Sequence, residues 1–222
     1  MIDVSNVKAE HLWYFVGLIA TDGNLSPDGR HIAVVSKDIQ HLENIREIFK
    51  LPKIGRKASG TTKEKMYGVL QFGDVRFYRF LQSIGIPPKK SLVLREIAVP
   101  PKYFKDFLRG VIDGDGSVRK WKHPTNGGEQ WEVKVVSGTL HFTRWLQKTI
   151  KKHFKVTGIF ITYPATPKQK HPLYVIKYGK MAAQKILSCY TPSALALARK
   201  GILARECMRT KSGWSRSFTV LK

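Results

Sequence analysis

The chain has 222 residues, 42% of them hydrophobic, which suits one large domain or two of about 100 residues each. No apolar run reaches the ~18 residues of a membrane span, and MIDVSNVKAEHLW lacks a signal-peptide pattern, so a soluble, intracellular protein with no membrane partner is expected. Lys and Arg total 39 against 16 Asp and Glu, a net charge of +23 that calls for a polyanion. The charge is spread along the chain among aromatics, which points to a folded nucleic-acid binder rather than a basic tail.

HLWYFVGLIAT, near the start, carries apolar residues at helical spacing and runs into Asp22-Gly23. RHIAVVS reads as a strand. Asp38 reads as the N-cap of a helix over 39–49. KIGRKAS and MYGVLQF flank the polar turn GTTKEK as a hairpin would, and a further helix is expected near 74–84. Four prolines make 86–104 an extended linker. The order then repeats. YFKDFLRGVID reads as a helix, EVKVVS as a strand, and Thr139 as the cap of a helix over 140–153. GIFITY and LYVIKY form a hairpin around PATPKQKHP, and a last helix lies near 179–188. Each half reads helix, two strands, helix, two strands, helix. The offset between halves grows from 93 to 101 to 106, as loop insertions in a duplicated domain would make it. The units are residues 1–85, a linker 86–104, and residues 105–222. Cys189 and Cys207 match no zinc or redox spacing and read as reduced, structural residues.

Each first helix ends on an acid and a glycine. Gly17 and Thr21 share one face, as do Gly110 and Gly114, so two such helices can cross closely. Gly23 and Gly116 suit a left-handed C-terminal cap. A carboxylate at a helix C-terminus meets the negative end of the dipole, at a cost of a few tenths to ~1 kcal/mol. If the two helices pair, Asp22 and Asp115 repel as well. Divalent cations compensate, with Mg2+ the natural choice, and paired carboxylates facing a polyanion suit two-metal phosphodiester hydrolysis. A calcium loop does not fit, because the twelfth position counted from Asp113 is Pro124.

FVGLIATDG (15–23) and LRGVIDGDG (108–116) resemble the two motifs of the single-chain LAGLIDADG homing endonucleases, and the likeness covers nearly the whole chain. It implies an α+β fold of two αββαββα half-domains joined through the motif helices, each with an antiparallel sheet forming half of a DNA saddle. It implies a monomeric, site-specific double-strand DNA endonuclease that cuts across the minor groove of a long asymmetric target and leaves 3′ overhangs. Two or three divalent ions would be shared between Asp22 and Asp115, with the carbonyls of Thr21 and Gly114 as further ligands. Lys90 and Lys200, with Lys89 and Arg199 as near alternatives, match the basic residue that follows the third helix; its role would be to polarise water or stabilise phosphate charge. The chain departs from the pattern at Ala20, where the second motif keeps Asp113. It departs again at Ser36-Lys37 and Ser137-Gly138, where the family often places Gln before Lys. Some relatives on this fold are RNA-binding intron maturases, so intron RNA is an alternative partner. A DNA-binding regulator built on a dead nuclease is another. The host compartment is left open between a prokaryotic cytoplasm and an organelle.

The strands offer alternate side chains to the groove. Candidates in the first half are Asn24, Ser26, Arg30, His31, Lys37, Arg56, Lys57, Lys63, Lys65 and Gln71. In the second they are Arg119, Lys120, Lys122, Gln130, Lys134, Tyr163, Lys168, Lys170 and Lys177. Trp121 and Trp131 read as strand packing.

Overall fold

The computed structural model of the protein describes residues 7–59 and 65–210. In chain order the first half holds α1 (Ala9–Asp22), β1 (Gly23–Leu25), β2 (His31–Ser36), α2 (Ile39–Phe49), β3 (Gly55–Ser59), β4 (Lys65–Gly73) and α3 (Val75–Ser83). The second holds α4 (Phe104–Asp115), β5 (Gly116–Lys122), β6 (Glu129–Ser137), α5 (Leu140–Phe154), β7 (Ile159–Tyr163), β8 (Leu173–Gly179) and α6 (Lys180–Leu187). An additional helix, α7 (Ala198–Arg209), follows. The fold is α+β with two antiparallel four-stranded sheets, ordered β1-β2-β4-β3 and β5-β6-β8-β7. Among the described residues, no helix is long and apolar enough to cross a membrane.

The centre is the crossing of α1 and α4. A β-carbon built on Gly17 would lie 2.1 Å from the Phe107 carbonyl oxygen, and one on Gly110 would lie 2.1 Å from that of Tyr14. The glycines therefore let two backbones meet where side chains normally intervene. α1 is buried continuously from Leu12 to Ala20, which explains why it is apolar on nearly every face. Below it, Phe15 packs between Phe49, at 4.7 Å between ring centres, and Phe77, at 6.2 Å.

Several local expectations change. Gly23 and Gly116 are extended, at φ −81° and −89°, not left-handed. The chain needs glycine there for closeness, since a β-carbon on Gly23 would fall 2.6 Å from the Ile19 backbone, and one on Gly116 equally near Ile112. Asp38 and Thr139 stand at N-cap positions without side-chain capping bonds. Instead Ser36 Oγ accepts the Asp38 N–H at 3.1 Å and Ser137 Oγ accepts the Thr139 N–H at 3.2 Å. Residues 86–104 hold two short 3-10 turns, at Lys90–Leu92 and Pro101–Tyr103, and bury Ile86, Leu94 and Ile97, so the segment is packed. The expected GTTKEK turn, with Lys63, falls largely outside the described residues.

Candidate active site and nucleic-acid surface

Asp22 and Asp115 are the last residues of α1 and α4, at the same end of the crossing. Their side chains reach solvent but are ringed by protein. Partial burial raises the Asp22 pKa. Burial, then the Asp22 charge, pushes Asp115 up to about 6, while Lys90 and Lys200 pull both acids down. The two carboxylates are thus electrostatically coupled. A β-carbon on Gly114 would meet Thr21 Oγ1 at 2.0 Å and the Asp22 carboxyl carbon at 3.5 Å, so the second helix touches the acid of the first.

Two cavities flank this contact. One, of about 170 Å³, is lined by Asp22 and Gly114 with Ser36, Lys37, His41 and Arg199. The other, of about 210 Å³, is lined by Asp115 and Thr21 with Lys90, Ser137, Gly138 and Phe142. Each pairs the acid of one motif with the penultimate residue of the other, as an approximate two-fold requires. The polar contents differ: Lys37 and His41 on one side correspond to Gly138 and Phe142 on the other.

A buried lysine closes each motif helix. Lys90 Nζ donates to the carbonyls of Thr21 (2.8 Å) and Gly23 (2.6 Å). Lys200 Nζ donates to Ile112 (2.5 Å), Asp113 (2.9 Å) and Gly116 (2.8 Å). Both ammonium groups face the negative end of a helix dipole, which favours them. Burial lowers both pKa values, that of Lys200 to about 8, against the pull of the nearby acids. Lys90 sits in the first short turn of the linker and Lys200 in the first turn of α7. The sequence pattern did not mark α7, because its buried face is made of Gly201, Ala204 and Cys207, small residues that leave a weak apolar signal.

Asp113 has a different task from its neighbour at 115. Its buried carboxylate accepts from Tyr14 (2.8 Å), Tyr190 (2.7 Å) and the Leu197 N–H (2.7 Å). Tyr14 Oη also lies 2.8 Å from His41 Nε2. The single tyrosine proton goes to Asp113, so His41 carries its proton on Nε2, and its buried Nδ1 has no partner among the described residues. Burial holds His41 down to about 4. The network ties α1 and α2 to α4 and the 190–197 segment. At the matching position of the first motif, Ala20 is simply buried.

Cross-strand partners share a sheet face, which sorts the candidate DNA residues. Asn24, Ala33 and Gln71 align on the open face, with Lys57 beside Tyr67. In the second sheet Arg119, Gln130, Lys134 and Lys177 lie on the open face, and Tyr163 shares it on β7. Lys177 is 3.7 Å from Glu132. Three candidates fall on the other face. Arg56 pairs with Gly68, which packs on Leu42 of α2, so it belongs to the helix-covered face. Lys120 pairs with buried Trp131 and binds Glu129 at 2.8 Å, beside Glu206 of α7. Lys122, two residues on, has the same parity. The reason is the two-residue period: neighbours such as 56/57 and 119/120 cannot share a face. Trp121 faces the open side and is 41% exposed, whereas Trp131 packs as expected. Ser26, Arg30 and His31 frame the β1–β2 turn, where Asp28 pairs with His31. Lys37 follows β2, 5.5 Å from the Tyr67 ring centre. Lys168 and Lys170 are exposed on the β7–β8 loop, and Lys65 opens β4.

Two helices crossing at glycines, each feeding a four-stranded sheet and ending on an acid, define the LAGLIDADG fold, and solved structures of that fold match this chain. The homing endonuclease I-WcaI bound to its DNA recognition sequence superposes with a TM-score of 0.61 at 12% identity, covering 90% of this chain and 87% of that one. I-DmoI in complex with DNA and Ca matches at 0.53 and 13% identity, covering 88% and 97%. Full-length DUF199/WhiA from Thermatoga maritima matches at 0.55 and 17% identity, covering 93% of this chain and 62% of WhiA; the present chain thus spans less than two thirds of that protein. No family model matches the chain, and no curated protein matches it by sequence.

Among the described residues no cluster of three or more His, Cys, Asp or Glu side chains converges. Two carboxylates with adjacent backbone carbonyls fit Mg2+ nonetheless, because that ion keeps several waters and is typically held by one or two carboxylates plus substrate phosphates. The Thr21 carbonyl already accepts from Lys90, which leaves one lone pair free.

Proposed function

We propose that the protein is a site-specific endonuclease that hydrolyses both strands of a DNA duplex with Mg2+, acting as a monomer. The observation that carries this reading is the coupled pair Asp22 and Asp115 at the touching ends of two helices, in a chain of net charge +23. A binding protein on this fold gains nothing from two repelling, partly buried acids beside its polyanionic ligand. A nuclease needs them.

In this reading the open faces of both sheets grip the phosphate backbone through Lys57, Arg119 and Lys134, while Asn24, Gln71 and Gln130 reach base edges. Asp22 and Asp115, with the carbonyls of Thr21 and Gly114, would hold the ions. When bound, these supply Lewis-acid activation of water and charge neutralisation at the leaving oxygen. Lys90 and Lys200 keep the two helix ends from repelling the incoming backbone and lie where they can stabilise charge on the phosphate. The cavities leave room for a water beside each acid. The Tyr14–Asp113–Tyr190 bonds lock the halves in register, so both carboxylates keep their separation when DNA binds.

Asp22→Asn and Asp115→Asn test the proposal. Each is expected to retain DNA binding and to lose double-strand cleavage by a factor of about 10² or more, since losing even a partner that only orients a metal ligand costs about 10–100-fold and these carboxylates would hold the ions directly. Full cleavage by either variant would contradict it.

A further inference from the structure

The outer face of α5 carries charge that the saddle does not use. Its cations are Arg144, Lys148, Lys151, Lys152 and, at the C-cap, Lys155, all exposed. Successive steps of four, three and four residues place Arg144, Lys148, Lys151 and Lys155 on one stripe. The opposite side of the helix buries Phe142, Leu146, Ile150 and Phe154, and α5 packs on β6 and β8. The stripe therefore points away from the open sheet face. Lys102 and Lys105 join it across a short contact: Phe104 stacks on His153 at 4.5 Å, and Lys105 Nζ lies 6.0 Å from the Phe154 ring centre. Burial and then the charges of Lys152, Lys105 and Lys155 lower the His153 pKa, with no carboxylate among the influences. No Asp or Glu occurs from Val133 through Arg205.

Ordinary explanations cover only part of this patch. Arg144 stacks on Phe160, its guanidinium carbon 3.7 Å from the ring centre, and the helix dipole favours cations in the last turn of α5, but neither accounts for Lys148, and the dipole disfavours Lys102 and Lys105 at the start of α4. Solubility does not require it either, as the other half shows. There the corresponding helix α2 carries Glu43 and Glu47, both paired with Arg46.

We infer that this face is a second DNA-binding surface, holding another duplex by its phosphates without reading its sequence. Six of the seven cations are lysines, which grip phosphate as point charges. The surface is the side of a helix, with no ribbon of Asn, Gln or Arg to enter a groove. The stripe spans about 16 Å, roughly half a turn of DNA, long enough to meet several phosphates. With the saddle on the opposite side, one molecule can hold two duplexes and pass between DNA segments. The inference does not depend on cleavage.

The test is stoichiometry by sedimentation at low salt, with the full chain, excess short duplex DNA of arbitrary sequence, and EDTA. Two duplexes per chain are expected. Replacing Lys148, Lys151, Lys152 and Lys155 by Gln, a good helix former, should leave one. It should also lower the salt dependence of the second binding step by about 3–4 log units per log unit of salt. The pair Lys151→Gln and Lys152→Gln should lower it by about half as much, and serves if the fourfold variant does not fold. Lys57→Gln with Lys134→Gln should weaken the other duplex and spare this one. A single duplex on the unmodified protein, two undiminished duplexes on the fourfold variant, or a second site that takes an RNA hairpin tenfold more tightly than DNA would each overturn the assignment.

Discussion

Adding one methyl group at Gly110 should split the two halves. A β-carbon there would stand 2.1 Å from the Tyr14 carbonyl oxygen, 2.8 Å from the Leu18 nitrogen and 3.1 Å from the Gly17 carbonyl carbon. All three are backbone atoms, so no side chain can rotate to make room, and relief to van der Waals distance needs α1 and α4 to part by about 1 Å. Overpacking of this kind costs about 1–3 kcal/mol, more when nothing yields, against at most ~1 kcal/mol gained in helix propensity. A net loss of at least ~2 kcal/mol should lower the melting temperature by roughly 4–8 °C for a domain of this size. Gly179→Ala is the control, with nothing within 4 Å of the added carbon. Calorimetry on Gly110→Ala, Gly17→Ala and Gly179→Ala makes the comparison. DNA cleavage should fall in the first two beyond what instability explains, because the acids move apart with the helices. A Gly110→Ala protein melting at or above the unmodified temperature would refute the close crossing.

Other predictions follow from the charges. Asp115 titrates near 6 in the folded protein, above its unfolded value of 3.8, so its ionised form destabilises the metal-free protein at neutral pH. Asp115→Asn should raise metal-free stability at pH 7 by about 1–2 kcal/mol, less than the full shift implies because solvent screens the exposed oxygen; denaturant titration in EDTA reads this. His41 behaves oppositely. Its folded pKa of about 4 lies below the unfolded 6.5, so the unfolded chain binds the extra proton and stability is lost as pH falls from 6.5 to 4. That loss approaches ~3 kcal/mol and should vanish in His41→Phe, which copies Phe142 of the other half. The unequal cavities, with Lys37 and Arg199 beside Asp22 but Lys90 and Gly138 beside Asp115, predict unequal strand cutting. Nicked circles should accumulate early in plasmid digestion, and Lys37→Gly should reduce them.

Most of the fold was legible because it depends on period and repetition. Helices α1 to α6 announce themselves by apolar spacing, and the duplication predicts each element twice. The small residues at 17, 21, 110 and 114 foretold the crossing, since close backbones require them. The backbone at Gly23 and Gly116 was less legible: glycine in sequence looks the same whether it supplies a left-handed angle or a missing β-carbon. Helix α7 was hidden because it packs through Gly201, Ala204 and Cys207. The acids at the helix ends were visible in the motif, but the depth of Lys90 and Lys200 was not. Lysine is normally a surface residue, and only the helix-end carbonyls converging on each ammonium make burial tolerable. Which residues share the open sheet face was harder still to read, because face depends on strand register, which a one-residue slip inverts. By that register Arg56 and Lys120 fall on the helix-covered side and Trp121 on the open one.

These features converge on one claim, that Asp22 and Asp115 together cut DNA held by the saddle. The most direct measurement is digestion of a plasmid carrying a site selected for binding by the protein from randomised duplexes, with Mg2+ and with EDTA, by the unmodified protein and by Asp22→Asn. One double-strand cut is expected in Mg2+, none in EDTA, and none by Asp22→Asn although the variant still shifts the DNA. Tight binding of that plasmid by the unmodified protein with no cut in Mg2+ would contradict the claim.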